Sequence, residues 1–479
     1  MKMTRFSRLP IKAVTWLITA GLTLPIFGAW VTTGIDTITD SRARKSVSIQ
    51  SIAVDSRLTL HAAWVERLGV GPNYLLYSSK SPGSNWSVAE TIAESVAVRV
   101  ALTVEKNTGF AHIAFIQQFA DTTELCYATN RTGTWQTIRI TKDTICDFTP
   151  TIALESDSFA HIAWVTREPG IAFRIGYATN RTRTWETQIL RLSQLGDFGS
   201  GALPYLALSP AGIAHITYRG GNYPDYHIHH AENTGPGDTS WSYEVLTTGN
   251  DYDYVSALAA QEGEELFLVA SGNDGWGMPF RTHYLHRPAH SSNWDQYQLI
   301  TASASASMEG FCMEKRNVHI TWQLINGNLI MEQLYHCSNY TGIWFNSPIR
   351  ADSHTTGGSI VVDSTACGHV LAIIETQSDT ELYCIHSAPF TGITETDCHP
   401  LPARSLAPTF VKDQVSFTLT GDRTERVEIY GKNGVLVRII KPKQNQVRWD
   451  CRAENGAQLA TGIYFIRCGS QIGRVVLIK

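Results

Sequence analysis

The sequence predicts an all-β protein, a seven-bladed β-propeller followed by a small β-sandwich, and three observations carry that prediction. First, a four-residue run recurs as His61-Ala-Ala-Trp64, His112-Ile-Ala-Phe115, His161-Ile-Ala-Trp164, His215-Ile-Thr-Tyr218 and His319-Ile-Thr-Trp322. Glu265-Leu-Phe-Leu268 and His369-Val-Leu-Ala372 complete a series spaced 51, 49, 54, 50, 54 and 50 residues. Second, the copies sit among strand-length runs. Thr151–Leu154, His161–Val165, Phe173–Ala178 and Trp185–Leu190 are rich in β-branched and aromatic residues and are separated by turn formers. Third, other landmarks keep phase: a tyrosine at 77, 127, 177, 284, 335 and 383 with His230 in the fourth copy, then a tryptophan at 86, 135, 185, 241, 294 and 344 with Thr394 in the seventh. Four strands repeated every 40–50 residues are the mark of a propeller.

In chain order, residues 1–34 read as a signal peptide. Lys2, Arg5, Arg8 and Lys12 precede or flank the apolar run Ala13–Ala29 with no acid among them, the layout of an export leader. Residues 35–47 read as a linker or as a strand that closes the ring, and 48–400 as the seven blades. Pro400, Pro402 and Pro408 mark 401–408 as a Pro-rich linker. In 409–479 six short runs, with Asn433-Gly434 as a hairpin turn, predict the sandwich. The leader predicts an exported protein at the cell surface or outside the cell, and the composition suggests a monomer.

Composition narrows the partners. The net charge is −4, and without the four basic residues of the leader 35 basic residues face 43 acidic ones. A mildly acidic body excludes a phosphate-backbone partner, so no nucleic acid is expected. The nine cysteines suit an oxidising compartment, and their odd number leaves one unpaired. No Cys-x-x-Cys pair is present, so no zinc ribbon is expected.

Two resemblances sharpen the picture. Ser79-Lys-Ser81-Pro-Gly83-Ser-Asn-Trp86 and the shorter Thr129-Asn-Arg-Thr-Gly133-Thr-Trp135 resemble degenerate Asp-boxes, the hairpins of sialidase-like propellers. The early Phe-Arg-Ile-Pro stretch of sialidases is missing, so the likeness implies fold more than activity. Val427-Glu-Ile-Tyr-Gly-Lys-Asn-Gly-Val-Leu-Val437, Trp449-Asp450 through Asn455-Gly456, Gly462-Ile-Tyr464 and the terminal Lys479 resemble the C-terminal sorting domains of type IX secretion substrates. Those domains share the Ig-like fold of hook-capping proteins. The resemblance implies partnership with type IX secretion machinery and association with an outer-membrane surface. Cys451 stands where that family has glycine, which would permit a disulfide to Cys468.

Propeller geometry sends the loops from outer to inner strand, and from second to third, to one face. These loops are longest around blades three to five and carry Arg167, Glu168, Asp197, Arg219, Tyr223, Asp251, Tyr252, Asp253, Asn273, Asp274 and Trp276. Acids beside aromatics suit sugars, and loops on a rigid scaffold are where binding residues gather. These residues are therefore the candidate ligand site, for a glycan or a protein, with no catalytic residue assigned. Asp251-Tyr-Asp253 offers hard oxygens for Ca²⁺ but too few for a full shell, so no cofactor is expected. The rival readings are a glycoside hydrolase or lyase using loop carboxylates and a structural surface protein. An enzyme would place two carboxylates and an arginine in the central funnel; a binder would place an aromatic shelf at the rim. The recurring histidine, one per sheet at a fixed strand position, reads as structural. Asn130, Asn180, Asn85 and Asn339 match the N-glycosylation pattern but sit where turns want asparagine.

Overall fold

The computed structural model describes residues 30–37, 45–390 and 410–477, apart from stretches within the loops, among them 168–172, 191–202, 223–224, 248–251 and 274–279. Seven four-stranded antiparallel sheets follow one another along the chain. Blade three is typical, with an inner strand Cys146–Glu155, a second Phe159–Arg167, a third Phe173–Thr179 and an outer strand Glu186–Leu190.

Strand alternation makes every blade a wedge with two apolar faces. On the second strand of blade three, Ala163 and Val165 pack with Leu206, Ile216 and Tyr218 of blade four. Ile162 and Trp164 turn the other way, onto Ala114, Ile116 and Leu125 of blade two. Trp164 is fully buried and lies over Gly176, its cross-strand partner, where a Cβ would come within 2.2 Å of the indole. The outer-strand tryptophans reach back one blade: Trp135 meets Tyr77 edge-on at 4.9 Å, Trp185 meets Tyr127 at 4.9 Å and Trp241 meets Tyr177 at 5.0 Å. They are inter-blade packing, as their phase predicted.

The ring closes through its N-terminal strand. Trp30–Thr37 is the fourth strand of the seventh sheet and pairs with Thr380–Pro389. Trp30 takes the place of the missing seventh tryptophan, edge-on to His336 of blade six at 5.3 Å and to Phe390 at 6.0 Å. The closing strand therefore starts at Trp30, inside the segment read as leader, and runs into the 35–47 segment expected to supply it, through Ile35–Thr37; Thr394 lies outside the described residues.

The recurring histidines form a layer at the tight-turn face. In blades one to three each Nδ1 shares a hydrogen bond with a tyrosine hydroxyl: His61 with Tyr77 at 2.6 Å, His112 with Tyr127 at 2.5 Å, His161 with Tyr177 at 2.5 Å. The Nε2 of His112 and His161 meets Glu105 and Glu155, both at 3.2 Å. In the later blades the tyrosine is replaced by a second histidine: His230 beside His215, His336 beside His319 and His386 beside His369, at 3.2, 3.1 and 2.8 Å. In blade five His286 bonds Glu265 at 2.8 Å. This corrects the sequence phase, since Tyr284, Tyr335 and Tyr383 instead stand opposite Val269, Trp322 and Ala372. Asn130, Asn180 and Asn339 each accept the backbone N–H that opens the second strand, at 2.8, 2.8 and 2.7 Å.

Cys126, Cys146, Cys312 and Cys337 are free thiols. Residues 410–477 form a five-stranded sheet and a two-stranded pair around Val427, Ile429, Trp449, Tyr464, Ile466 and Val475. Trp449 donates its indole N–H to the Arg452 carbonyl at 3.0 Å and meets Tyr464 edge-on at 5.6 Å. Asp450 accepts from Arg438 at 2.5 Å, Gly456 sits at φ +81°, and Gly462 opens the strand that carries Tyr464. Asn455, Lys479 and the Cys468 side chain lie outside the described residues.

Candidate functional site

The long-loop face is shaped by a repeated irregularity. The inner strands of six blades break register near their starts: between Ser48 and Gln50, Val96 and Val100, Phe148 and Thr151, Asp253 and Val255, Met308 and Gly310, and Thr356 and Ser359. A bulge bends its strand and re-aims side chains. Set side by side around the axis, these bulges form a collar at the mouth of the central channel. Arg99 and Glu309 occupy the bulges of blades two and six. Arg99 is exposed to solvent, yet the protein around it disfavours its charge, while Glu309 of blade six supports it.

Outside the collar three consecutive blades each set an arginine on an aromatic ring. Arg139 lies 4.1 Å from the Phe119 centroid, Arg167 5.1 Å from Phe173 and Arg219 4.5 Å from Tyr226. Such contacts hold a guanidinium without consuming its N–H donors. The three differ in what remains available. Arg139 also pairs with buried Glu124 at 2.8 Å. Arg219 is buried, and on the opposite face of the same strand Tyr218 stacks with His229 at 5.4 Å. Burial pushes His229 down to about 4, so it is neutral at pH 7. Arg167 is exposed, and beside it Phe148, 36 % exposed, meets Phe173 edge-on at 5.9 Å. Phe148, Phe173 and Arg167 make an aromatic shelf topped by a cation at the rim of blade three.

On the opposite face of the same sheet is a buried acid. Asp147 accepts hydrogen bonds from Thr141 Oγ1 at 2.6 Å, Trp164 Nε1 at 2.8 Å and the Leu125 N–H at 3.2 Å. Burial nonetheless raises its pKa to about 6. With 2 % of its surface exposed, it ties blade two to blade three.

Of the residues singled out from sequence, Arg167 and Arg219 are thus on the loop face of adjacent blades. The backbone sets Tyr252 opposite Asn273 and Asp253 opposite Gly272 at the same end of blade five, their side chains lying outside the description. Asp197, Tyr223, Asp251, Asp274 and Trp276 lie outside the described residues, and with Asp251 so does the Ca²⁺ pair. Sequence reading missed Phe148, Phe173, Tyr226, Arg99 and Glu309. Arg99 had a signal, a lone charge inside the aliphatic run Val96-Ala-Val-Arg-Val-Ala101.

No family model matches the sequence, and neither does any curated protein. Solved structures do resemble the fold. The polysaccharide lyase Uly1 aligns over 71 % of this chain and 90 % of its own, at 9 % identity and a TM-score of 0.48. The phage phi92 endosialidase covers 92 % and 79 % at 13 % identity and 0.45. The BP39L lectin from Burkholderia pseudomallei covers 71 % and 97 % at 12 % identity and 0.45. At such identities the likeness extends to the propeller fold alone.

Proposed function

We propose that the propeller is a non-catalytic binding module for a glycan that carries acidic groups, recognised at the rim of blade three. The pair of exposed Phe148 and half-buried Phe173, capped by Arg167, carries this reading. Aromatic faces stack on sugar rings while a guanidinium fork grips a carboxylate. We infer further that the chain is exported, that a leader ends at Ala29 ahead of the closing strand, and that 410–479 is an Ig-like address domain for type IX secretion. The resemblance at Trp449-Asp450 and Gly462-Ile-Tyr464 supports the last point.

The enzyme reading draws on Arg99 and Glu309 in the channel mouth. Among the described residues the collar supplies one arginine and one carboxylate, half of what paired-carboxylate hydrolysis needs. The deciding experiment is a glycan array run beside a chromogenic glycoside and lyase panel on the exported chain. Binding to uronic- or sialic-acid glycans without turnover is expected, with Phe173→Ala and Arg167→Ala each weakening it by about tenfold or more. Turnover abolished by Glu309→Gln would replace this reading with the enzyme.

A further inference from the structure

Blade four departs from the histidine layer in a way that packing does not require. His215 opens its second strand (Ala214–Asn222), and His230 and Glu232 lie on its third (Asp225–Asn233). His215 Nδ1 is 3.2 Å from His230 Nε2 and 3.4 Å from Glu232 Oε2, and all three ligand atoms lie within 4.8 Å of one another. Both histidines are essentially fully buried, while Glu232 reaches solvent.

The outer nitrogens meet carboxylates. His215 Nε2 is 2.7 Å from Glu264, on the turn Glu262–Glu264 of blade five, and His230 Nδ1 is 3.0 Å from Glu244. A carboxylate accepts, so in the tautomers that donate an N–H to these acids the inner nitrogens turn lone pairs toward each other, with Glu232 Oε2 beside them.

We propose that this cluster is a binding site for one divalent transition-metal ion of the zinc type, held by His215 Nδ1, His230 Nε2 and Glu232. Ligands about 2.0–2.1 Å from a tetrahedral ion stand roughly 3.3–3.5 Å apart, close to the 3.2 and 3.4 Å that separate His215 Nδ1 from the other two, and the whole set lies within 4.8 Å. Carboxylates on the far nitrogens of both histidines are the usual outer shell of such a site, orienting the rings and raising their basicity. The charge also fits. Glu232, Glu244 and Glu264 face one guanidinium, that of Arg287, whose Nη2 is 2.9 Å from Glu232, leaving two negative charges for a dication to balance. Glu264 comes from blade five, as does Trp294, which donates to Glu244 at 2.8 Å, so the ion would fasten two blades. The counterpart pair in blade six, His319 and His336, lies at a similar 3.1 Å, but among the described residues no group of ligand type joins it.

The test is titration of the tag-free, chelator-stripped full chain with Co²⁺ and Zn²⁺. One ion per chain is expected, with the visible spectrum of tetrahedral cobalt and no thiolate charge-transfer band. His215→Asn and His230→Asn should abolish it. Glu244→Gln and Glu264→Gln, which leave all three ligands in place, should weaken binding about 10–100-fold, and His319→Asn should leave it unchanged. Absence of stoichiometric binding at micromolar ion, a thiolate band, or binding that survives in folded His215→Asn would each overturn the proposal.

Discussion

Blades three and four hold the same structural position with different chemistry. In blade three His161 lies between a tyrosine hydroxyl and a glutamate, and each hydrogen bond has an obvious donor and acceptor. In blade four the tyrosine has become His230 and a further acid, Glu232, has entered. These two changes turn a hydrogen-bond relay into a cluster of three potential metal ligands. A repeat scaffold tolerates this because each blade packs chiefly on its two neighbours, so chemistry introduced at one boundary leaves the others intact.

The largest expected effect tests the packing that the two blades share. Trp164→Ala should cost about 3–5 kcal/mol and strip an N–H from Asp147; a urea midpoint that falls with unchanged slope is the readout. Next comes acid sensitivity. Burial pushes His61 down to about 4 and His319 to about 3. The unfolded chain therefore takes up protons first, and stability present above pH 6.5 is lost as pH falls toward 4, on the order of 3 kcal/mol for His61. His319→Gln should flatten that slope. Asp147, raised to about 6, works in the opposite sense: its contribution is greatest in acid and fades as pH rises through 6, and Asp147→Asn should remove it. The smallest effect separates the two blade types. Tyr177→Phe deletes one partner of His161 and should cost about 1 kcal/mol, with no change in response to metal ions. A loss of zinc-dependent stabilisation in that variant equal to the loss in His230→Asn would erase the distinction.

Blade number and strand order were legible because the aliphatic, histidine and tryptophan positions repeat at every turn of the ring. Trp30 was not, because it follows directly on the apolar run Ala13–Ala29 and reads as part of it. His286, His336 and His386 were passed over because a tyrosine lies one to three residues earlier in each blade, and only cross-strand register shows which residue meets its partner. The candidate site was legible as a face rather than as residues. Loop length pointed to it and found Arg167 and Arg219, but Phe148 and Phe173 belong to strands, where an aromatic reads as core. Arg99 and Glu309 come to one end of the ring from blades two and six, which sequence spacing does not encode.

The closing strand has a kinetic consequence. Trp30 pairs with Ser387, so during synthesis this strand must wait for nearly the whole propeller before it finds its sheet. Joining chain ends this far apart carries the largest loop-closure entropy in the molecule, and contacts of such separation form late. Until then blade seven presents a bare edge. The passage from a linear stack of wedges to a sealed ring is thus a single late event, and the eight residues from Trp30 to Thr37 are its latch.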